Sequence, residues 1–176
     1  MQRSEALPAV LAAGDGSAMS EGEFRLLYEA TARPILGYLT GVTGRRDVAE
    51  DLLQETYCRF LARGPRSLGG EEARRYLFRV AGNLLRDRWR RGEDSRRVEL
   101  VDAGASADAG VGIDVRRAMA ALKPRERELL WLAYVEGMSH AEIAAATGLA
   151  AMSVRLLLFR ARRRAAALLR PGEELG

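Results

Sequence analysis

The chain has 176 residues, 48% of them hydrophobic and 30% charged, which is enough for one average domain or two small ones with a buried core. Its single cysteine excludes an internal disulfide and a cysteine-based zinc site, and no catalytic triad or metal cluster stands out around the single histidine. The net charge is only +4, but the charges are segregated. Segment 74–91 holds seven Arg and one Asp, segment 155–164 holds five Arg and no acid, and segment 98–114 holds four acids and no base. Two basic blocks separated by an acidic stretch predict a polyanionic partner held at two places.

Residues 1–19 are predicted to form a mobile leader. Their apolar run 6–13 is weakly similar to the core of a signal peptide, but it contains Pro8 and leads directly into Gly14. No run approaches the roughly 18 apolar residues that a membrane-spanning helix needs. We therefore expect a cytoplasmic protein without membrane insertion.

Helical periodicity dominates the first half of the chain. Ser20–Glu23 is a capping box, in which a serine hydroxyl and a glutamate carboxylate satisfy free backbone donors at the start of a helix. Apolar residues follow at helical spacing, and Pro34 is expected to kink or divide this helix. Two further helices are predicted over about 46–62 and 71–91, with a loop containing glycine and proline between them. Together these helices form a predicted first domain over residues 20–91.

A linker and a second domain are predicted to follow. Residues 92–113 are rich in Gly, Ala, Ser and Asp and contain no aromatic residue, which is typical of a flexible acidic linker. The second domain covers 114–170, and a short tail covers 171–176. The predicted fold class is therefore all-α, with two small helical domains joined by a flexible acidic linker.

The second domain contains a helix-turn-helix pattern. Ser139–Glu142 is a second capping box that opens a short helix, Gly148 supplies the turn, and a long helix follows over about 151–169. The inward positions of the long helix are predicted to be Val154, Leu158, Ala161 and Ala165. The outward positions are predicted to be Ser153, Arg155, Leu156, Leu157, Phe159 and Arg160. Such a helix can enter a DNA major groove, although a basic amphipathic helix that packs in a bundle has the same pattern.

The second predicted helix carries an acidic face. Its members are Asp47, Glu50, Asp51, Gln54 and Glu55, and they lie opposite a predicted buried stripe of Ala49, Leu52, Leu53, Thr56 and Phe60. Four carboxylates on one face repel one another, at a cost of roughly a few tenths of a kcal/mol per pair. The face is either a solvated surface or a docking surface for a basic helical partner whose arginines bind the carboxylates.

The third predicted helix interleaves arginines with aromatic residues. Arginines bind a phosphate backbone, and exposed aromatics stack on unpaired bases or insert into an opening duplex. Asn83 and Asp87 lie one helical turn apart and are suited either to contacts with an extruded base or to capping a loop. Some of the aromatic residues are expected in the core, and Tyr76 fits either role. The candidate nucleic-acid residues of this helix are Tyr76, Arg79, Asn83, Arg86, Asp87, Arg88, Trp89 and Arg90.

Three segments together resemble one protein family. Asp47–Tyr57 resembles the polymerase-binding motif of bacterial RNA polymerase sigma factors, and Tyr76–Arg88 resembles the segment of that family that melts and reads the downstream promoter element. Leu122–Leu130 and Tyr134–Ala144 are similar to the family's C-terminal helix-turn-helix domain, which binds the upstream element. The presence of these two regions alone matches the small extracytoplasmic-function (ECF) branch.

The resemblance implies a role for each set of residues. The acidic face would bind core RNA polymerase, and the candidates of the third helix would hold the opened downstream element of promoter DNA. The residues implied to face the upstream element are Ser153, Arg155, Leu156, Leu157 and Arg160. An anti-sigma factor would be a further partner, whereas catalytic residues, a metal, a cofactor and a small-molecule substrate are not expected.

Four positions depart from the family's pattern. Tyr76 stands where Trp is usual, Ala151 replaces a common Glu, and Leu156 and Leu157 stand where small polar and Arg residues are usual. Leucine cannot hydrogen-bond to base edges, although it can contact a thymine methyl group. The two leucines therefore face either DNA or a protein such as an inhibitor.

Two other functions are compatible with parts of the sequence. A dimeric helix-turn-helix regulator accounts for the long helix over 151–169, but not for the acidic helix or the aromatic basic helix, and it would bind duplex DNA at two symmetric half-sites. An inhibitor-sequestering interaction module accounts for Leu156 and Leu157 and would support no transcription in a reconstituted assay.

Overall fold

The computed structural model of the chain describes residues 19–64, 70–92 and 109–170. The predicted leader apart from Met19, residues 93–108 of the predicted linker, and the predicted tail lie outside the described residues. All regular secondary structure in the described ranges is helical, so the predicted all-α class is confirmed.

Seven helices in the described ranges form two lobes. The N-terminal lobe comprises α1 (Glu21–Thr43), α2 (Arg46–Arg63) and α3 (Gly70–Arg90). The C-terminal lobe comprises α4 (Ala109–Ala121), α5 (Pro124–Tyr134), α6 (His140–Thr147) and α7 (Ala151–Leu169).

Helix α1 begins where the sequence predicts. Ser20 Oγ accepts from the backbone N–H of Glu23 at 3.2 Å, and the Glu23 carboxylate accepts from the backbone N–H of Ser20 at 2.7 Å. The expected division at Pro34 is wrong, because α1 runs unbroken through this residue. Ile35 and Tyr38 lie just after the proline and are buried, so packing of this face offsets the hydrogen bond that proline cannot donate.

Helix α4 begins inside the segment predicted to be the linker. Its first residue is Ala109, whereas the second domain was expected to start at residue 114. Gly110 and Gly112 lower the intrinsic helix propensity there, which is why this stretch has the composition of a linker. Tertiary packing overrides the propensity, since α4 contacts α7 and Ala118 is buried.

The three helices of the N-terminal lobe pack around an apolar core. The predicted stripe of α2 is confirmed, and its buried members are Ala49, Leu52, Leu53, Thr56 and Phe60. Tyr57 is buried as well, and its hydroxyl lies 2.6 Å from Thr31 Oγ1 on α1. Because this stripe faces the core, the opposite face of α2 points into solvent.

Helices α6 and α7 form the predicted helix-turn-helix. Ser139 Oγ accepts from the backbone N–H of Glu142 at 3.2 Å, and the Glu142 carboxylate accepts from the backbone N–H of Ser139 at 2.8 Å. Gly148 ends α6 with a φ of +71°, and α7 leaves at 101° to α6. This angle lies within the range of about 90–120° that is typical of the motif. Val154 and Leu158 are buried, and they pack α7 against the rest of the lobe.

Within the described ranges, no single helix is both long and apolar enough to cross a membrane. Helices α6 and α7 reach that length and composition only as a pair, across their 101° bend.

The two lobes pack against each other and share one continuous core. Helix α1 contacts α5, and α3 contacts α6. At the contact between α1 and α5, Gly37 and Gly41 leave room for the indole of Trp131, and a Cβ added at Gly41 would clash with the indole ring. Glycine is therefore required beneath the indole at position 41. No local pattern in the sequence predicts this contact between distant segments.

The turn between α6 and α7 should depend on glycine at position 148. Gly148→Ala is expected to lower the free energy of unfolding by about 1 kcal/mol, because a Cβ disfavours the left-handed conformation of this residue. Urea denaturation followed by circular dichroism measures the change. Gly22→Ala is the matched control, since Gly22 lies in α1 with no atom within 4 Å of an added Cβ. The control should leave the free energy of unfolding unchanged or raise it slightly. Equal decreases of this free energy in the two variants would contradict the requirement for glycine at position 148.

Candidate nucleic-acid interface

Helix α3 carries the predicted nucleic-acid residues, and its buried face decides which of them reach solvent. The buried members are Ala73, Leu77, Phe78, Ala81, Gly82, Leu84 and Leu85. Phe78 is a core residue, because its ring centroid lies 5.5 Å from that of the buried Tyr38. Of the candidates, Arg79, Asn83 and Arg90 are exposed, whereas Tyr76, Arg86, Asp87, Arg88 and Trp89 are half-buried.

Two aromatic residues of α3 remain at the surface. The centroid of the Tyr76 ring lies 5.9 Å from that of Phe60 on α2, and the Arg79 guanidinium lies 5.0 Å from the Tyr76 centroid. Tyr76 therefore packs on the lobe and contacts a cation at the same time. Trp89 packs against the core with part of its indole exposed. Both rings keep surface on which an unpaired base can stack.

A cleft of about 530 Å³ opens at the C-terminal end of α3. Its lining residues are Asn83, Arg86, Asp87, Trp89, Arg90 and Arg125. Five of these six are predicted nucleic-acid residues, so the structure brings them together around one space. The sixth, Arg125, comes from α5 of the other lobe, and no pattern in the sequence indicated it. An aromatic surface, an amide and several guanidinium groups around one cleft can bind a base and its phosphates.

Glu128 of α5 is fully buried and joins the two lobes through a charged network. Its Oε1 accepts from Arg86 Nη1 at 2.6 Å and from the Tyr38 hydroxyl at 3.0 Å. Its Oε2 accepts from Arg125 Nη1 at 2.6 Å. Burial above all, with the adjacent carboxylate, raises the pKa of Tyr38 well above its ordinary value, so the phenol stays protonated and donates.

Arg86 uses both of its terminal nitrogens within the protein. Besides the Glu128 contact of Nη1, its Nη2 donates to Asn83 Oδ1 at 2.6 Å and to the backbone oxygen of Ala146 at 3.0 Å. Gly82 makes space for this arrangement, because a Cβ there would lie 2.9 Å from Arg86 Nη1. The predicted DNA-binding arginine is thus bound to α5 and α6, at the contact between the two lobes.

Two further contacts connect α3 to the C-terminal lobe. Glu136 accepts from Arg74 Nη2 at 2.8 Å and from the Trp131 indole N–H at 3.1 Å, and burial raises the pKa of its carboxyl group against the opposing effect of both donors. Arg75 lies 2.8 Å from Glu142, whose pKa is lowered by its hydrogen bonds to Ser139 and by the arginines nearby. Sequence reasoning missed these contacts because their partners lie far apart in the chain.

All five residues of the predicted acidic face of α2 are exposed. Three of its carboxylates are paired with arginines of the same segment, and the pairs are Arg45–Asp47 at 2.5 Å, Arg46–Glu50 at 2.7 Å and Arg59–Glu55 at 2.7 Å. Arg45 lowers the pKa of Asp47. Asp51 makes no ion pair with any described residue. The repulsion expected along this face is therefore largely neutralised, and the unpaired negative charge is concentrated at Asp51.

The outer face of α7 is partly apolar. Arg155 and Arg160 are exposed as predicted, and Ser153 is half-buried. Leu157, expected to point outward, is half-buried and packs against the core, so that prediction is wrong. Its place on the flank of the buried stripe explains the packing. The exposed apolar side chains of this face are Met152 at 78% exposure, Leu156 at 49% and Phe159 at 49%.

Comparisons with known proteins bear on these interfaces. The family model of Sigma-70 region 2 matches residues 27–95, and that of Sigma-70 region 4 matches residues 113–164. The ECF RNA polymerase sigma factor EcfG of Rhodopseudomonas palustris is 30% identical over 151 residues, which cover 80% of this chain and 81% of EcfG. The chain belongs to the ECF family of RNA polymerase sigma factors. The family indicated by the three sequence motifs is thereby confirmed.

Two other proteins are similar to this ECF sigma factor. The ECF RNA polymerase sigma factor SigE of Mycolicibacterium smegmatis is 30% identical over 163 residues, which cover 86% of this chain and 62% of SigE. The chain thus spans less than two thirds of that relative. In the co-crystal structure of the sigma factor RpoE with the anti-sigma factor NepR from Bartonella quintana, RpoE gives a TM-score of 0.64 at 25% identity, covering 86% of this chain and 99% of RpoE. In the parts of this sigma factor that the structure describes, no group of three or more His, Cys, Asp or Glu could hold a metal ion.

Arg86 should stabilise the folded sigma factor through its bridging contacts. Arg86→Lys is expected to lower the free energy of unfolding by about 2 kcal/mol, because an ammonium group cannot reach Glu128, Asn83 and the Ala146 carbonyl at once. Chemical denaturation measures this loss. Arg33→Lys is the control at an exposed position of α1 and should change the free energy by less than about 0.5 kcal/mol. Losses of similar size in the two variants would show that the bridge contributes nothing specific.

Proposed function

We propose that this sigma factor binds core RNA polymerase, directs it to specific promoters and helps to open the DNA there. The observation that supports the proposal best is the arrangement of the N-terminal lobe, in which the acidic face of α2 and the arginine–aromatic surface of α3 project from one core. One helix can bind a basic protein surface while another binds DNA. The factor contributes no catalytic chemistry of its own and acts in the cytoplasm, where the polymerase transcribes the chromosome.

Docking on the polymerase depends on the exposed face of α2, defined above. Asp51 lies at its centre, one turn from Asp47 and one turn from Glu55. An arginine of a partner binds Asp51 without displacing an existing ion pair, and it then shares the carboxylates on either side. We therefore assign the largest part of the docking interaction to Asp51.

Opening of the downstream element depends on the cleft at the end of α3. An extruded base can stack on the Trp89 indole while Asn83 and Asp87 hydrogen-bond to its edge. Arg79 and Arg90 are exposed beside them and bind the phosphates of the same strand. These contacts favour the separated strand over the duplex, because its bases are free to leave the stack.

The C-terminal lobe is proposed to bind the upstream element through α7. Arg155 and Arg160 can bind phosphates or guanine edges, whereas Leu156 can contact a thymine methyl group. The apolar face of Met152, Leu156 and Phe159 also fits a protein partner. The relative RpoE was crystallised with an anti-sigma factor, which supports the proposal that an anti-sigma factor also binds this chain.

The docking proposal is tested by reversing charge on α2. Asp51→Lys with Glu55→Lys is expected to abolish pull-down of core polymerase and run-off transcription, because basic partners then meet like charges. Both positions are exposed, so the circular dichroism spectrum should stay unchanged, and loss of the Arg59–Glu55 pair should lower the free energy of unfolding by less than about 1 kcal/mol. Glu29→Lys with Asp114→Lys makes the same change in net charge at exposed positions elsewhere and should retain both activities. Undiminished pull-down by the α2 variant would refute docking through this face.

The strand-opening proposal is tested at Asn83. Asn83→Ala is expected to weaken permanganate reactivity of the promoter by about tenfold while closed-complex binding changes little, because an extruded base is the only part of the DNA that the amide is proposed to contact. Glu72→Gln, at an exposed position in the first turn of α3, is the control and should leave the reactivity unchanged. A footprint of wild-type strength in the Asn83 variant would assign this side chain to its contact with Arg86 alone.

A further inference from the structure

Tyr134, the last residue of α5, contacts α7 through a hydrogen bond on the surface of the C-terminal lobe. Its hydroxyl accepts from Arg162 Nη1 at 3.2 Å, although the two residues are 28 positions apart in the chain. Both side chains are exposed, and 61% of Tyr134 remains accessible to solvent. The Tyr134–Arg162 pair therefore joins two helices at a place where neither side chain belongs to the core.

The pair offers hydrogen-bond donors to an approaching anion. Arginine carries five N–H groups in a planar fork, and the contact with Tyr134 uses one of those of Arg162. The Tyr134 oxygen accepts in this contact, so its own O–H is left to donate. An anion thus meets a positive charge, N–H groups and a hydroxyl from two different helices. A phosphate group, with its several acceptor oxygens, matches this combination.

The positive charge on this side of α7 is not paired with any described acidic residue. Arg155, Arg162 and Arg163 make no ion pair in the described ranges, whereas Arg164 lies 3.7 Å from Glu126 of α5. Residues two positions apart on a helix are separated by about 200° around its axis, so Arg162 and Arg164 lie on opposite sides of α7. The side that carries Arg162 is therefore the one that attracts an anion.

The position of the pair along α7 fits the width of a DNA groove. Helix-turn-helix proteins place the N-terminal residues of the second helix at the base edges of the major groove, and in α7 this part carries Arg155. Arg162 lies seven residues later, or roughly 10.5 Å along the helix axis. Since the major groove is about 12 Å wide, α7 reaches its rim near Arg162. The DNA groups at the rim are the backbone phosphates.

We propose that Tyr134 and Arg162 together bind one backbone phosphate at the edge of the upstream element. This inference rests on the proposed function, in which α7 binds that element through residues nearer its start. A phosphate contact carries no sequence information, but it fixes the position of a protein on the duplex. The contact would supply affinity that Leu156 does not, because leucine forms no hydrogen bond with base edges.

The experiment measures binding of the full chain to short fluorescent DNA duplexes over a series of KCl concentrations. Two duplexes of unrelated sequence are compared, because a phosphate contact acts on both alike. Arg162→Ala is expected to weaken binding about fivefold on each duplex and to reduce the slope of log affinity against log salt by about 0.9, the value for one phosphate contact.

The matched control is Arg164→Ala. It removes the same charge two residues away, from a side chain that already faces Glu126. It should leave the salt slope unchanged and the affinity within about twofold of the wild type. An unchanged slope in Arg162→Ala would overturn the proposal and leave the pair as a surface contact or a site for an acidic protein. Equal changes in the two variants would overturn it as well, because general attraction to DNA would explain both.

Tyr134→Phe tests the hydroxyl separately, since it keeps the ring. We expect about threefold weaker binding in the otherwise unchanged chain and a smaller loss in the chain that also carries Arg162→Ala, because both side chains act on one phosphate. Both positions are exposed, so the circular dichroism spectrum should stay unchanged. Losses that simply add would contradict a shared phosphate.

Arg155→Ala distinguishes failure of this inference from failure of the proposed function. Weaker binding in Arg155→Ala with wild-type binding in Arg162→Ala would leave the proposed role of α7 intact and overturn the phosphate site. Wild-type binding in both variants, or no duplex binding by the wild type, would overturn both proposals. The predicted loss in Arg162→Ala without a loss in Arg155→Ala would support the phosphate site and contradict the role proposed for Arg155.

Discussion

The burial of the Glu128 carboxylate is the constraint on which the arrangement of the two lobes depends. A charged carboxylate removed from water is unstable unless opposite charges and hydrogen bonds surround it. Its partners are Arg86 and Tyr38 of the N-terminal lobe and Arg125 of its own helix. Two of these three partners come from the other lobe. The carboxylate therefore has all its hydrogen-bond donors only when the two lobes pack against each other. The charged network therefore selects one packing of the lobes, which apolar contact alone would not do.

Pairing between arginines and carboxylates also decides which charges a partner meets. On α2, arginines of the same segment pair with Asp47, Glu50 and Glu55, and the charge left for a partner is that of Asp51. On α3, three arginines pair with glutamates of the other lobe. Net charge along the sequence thus overstates the charge available at each surface.

Long-range packing explains where sequence-based expectations fail. Pro34 has the local signature of a helix break, yet the buried residues after it keep α1 continuous. Residues 109–113 have the composition of a linker, yet α4 begins at Ala109 because its later turns pack on α7. Leu157 lies on the flank of a helix, where a small difference in the orientation of α7 decides between solvent and core. In each case, contacts from another element outweigh the local preference.

The sequence by itself determined the helices, their capped ends, the acidic face of α2, the arginine–aromatic surface of α3 and the helix-turn-helix. These features depend on residues within one or two turns of each other, such as Ser139 with Glu142, so they are readable as local patterns. Only the tertiary structure decided that the two lobes pack against each other, that Trp131 packs on Gly41 and that Glu128 accepts a hydrogen bond from Arg86. Tyr38 and Glu128 are separated by 90 residues, and no local periodicity carries information about a pairing at that distance.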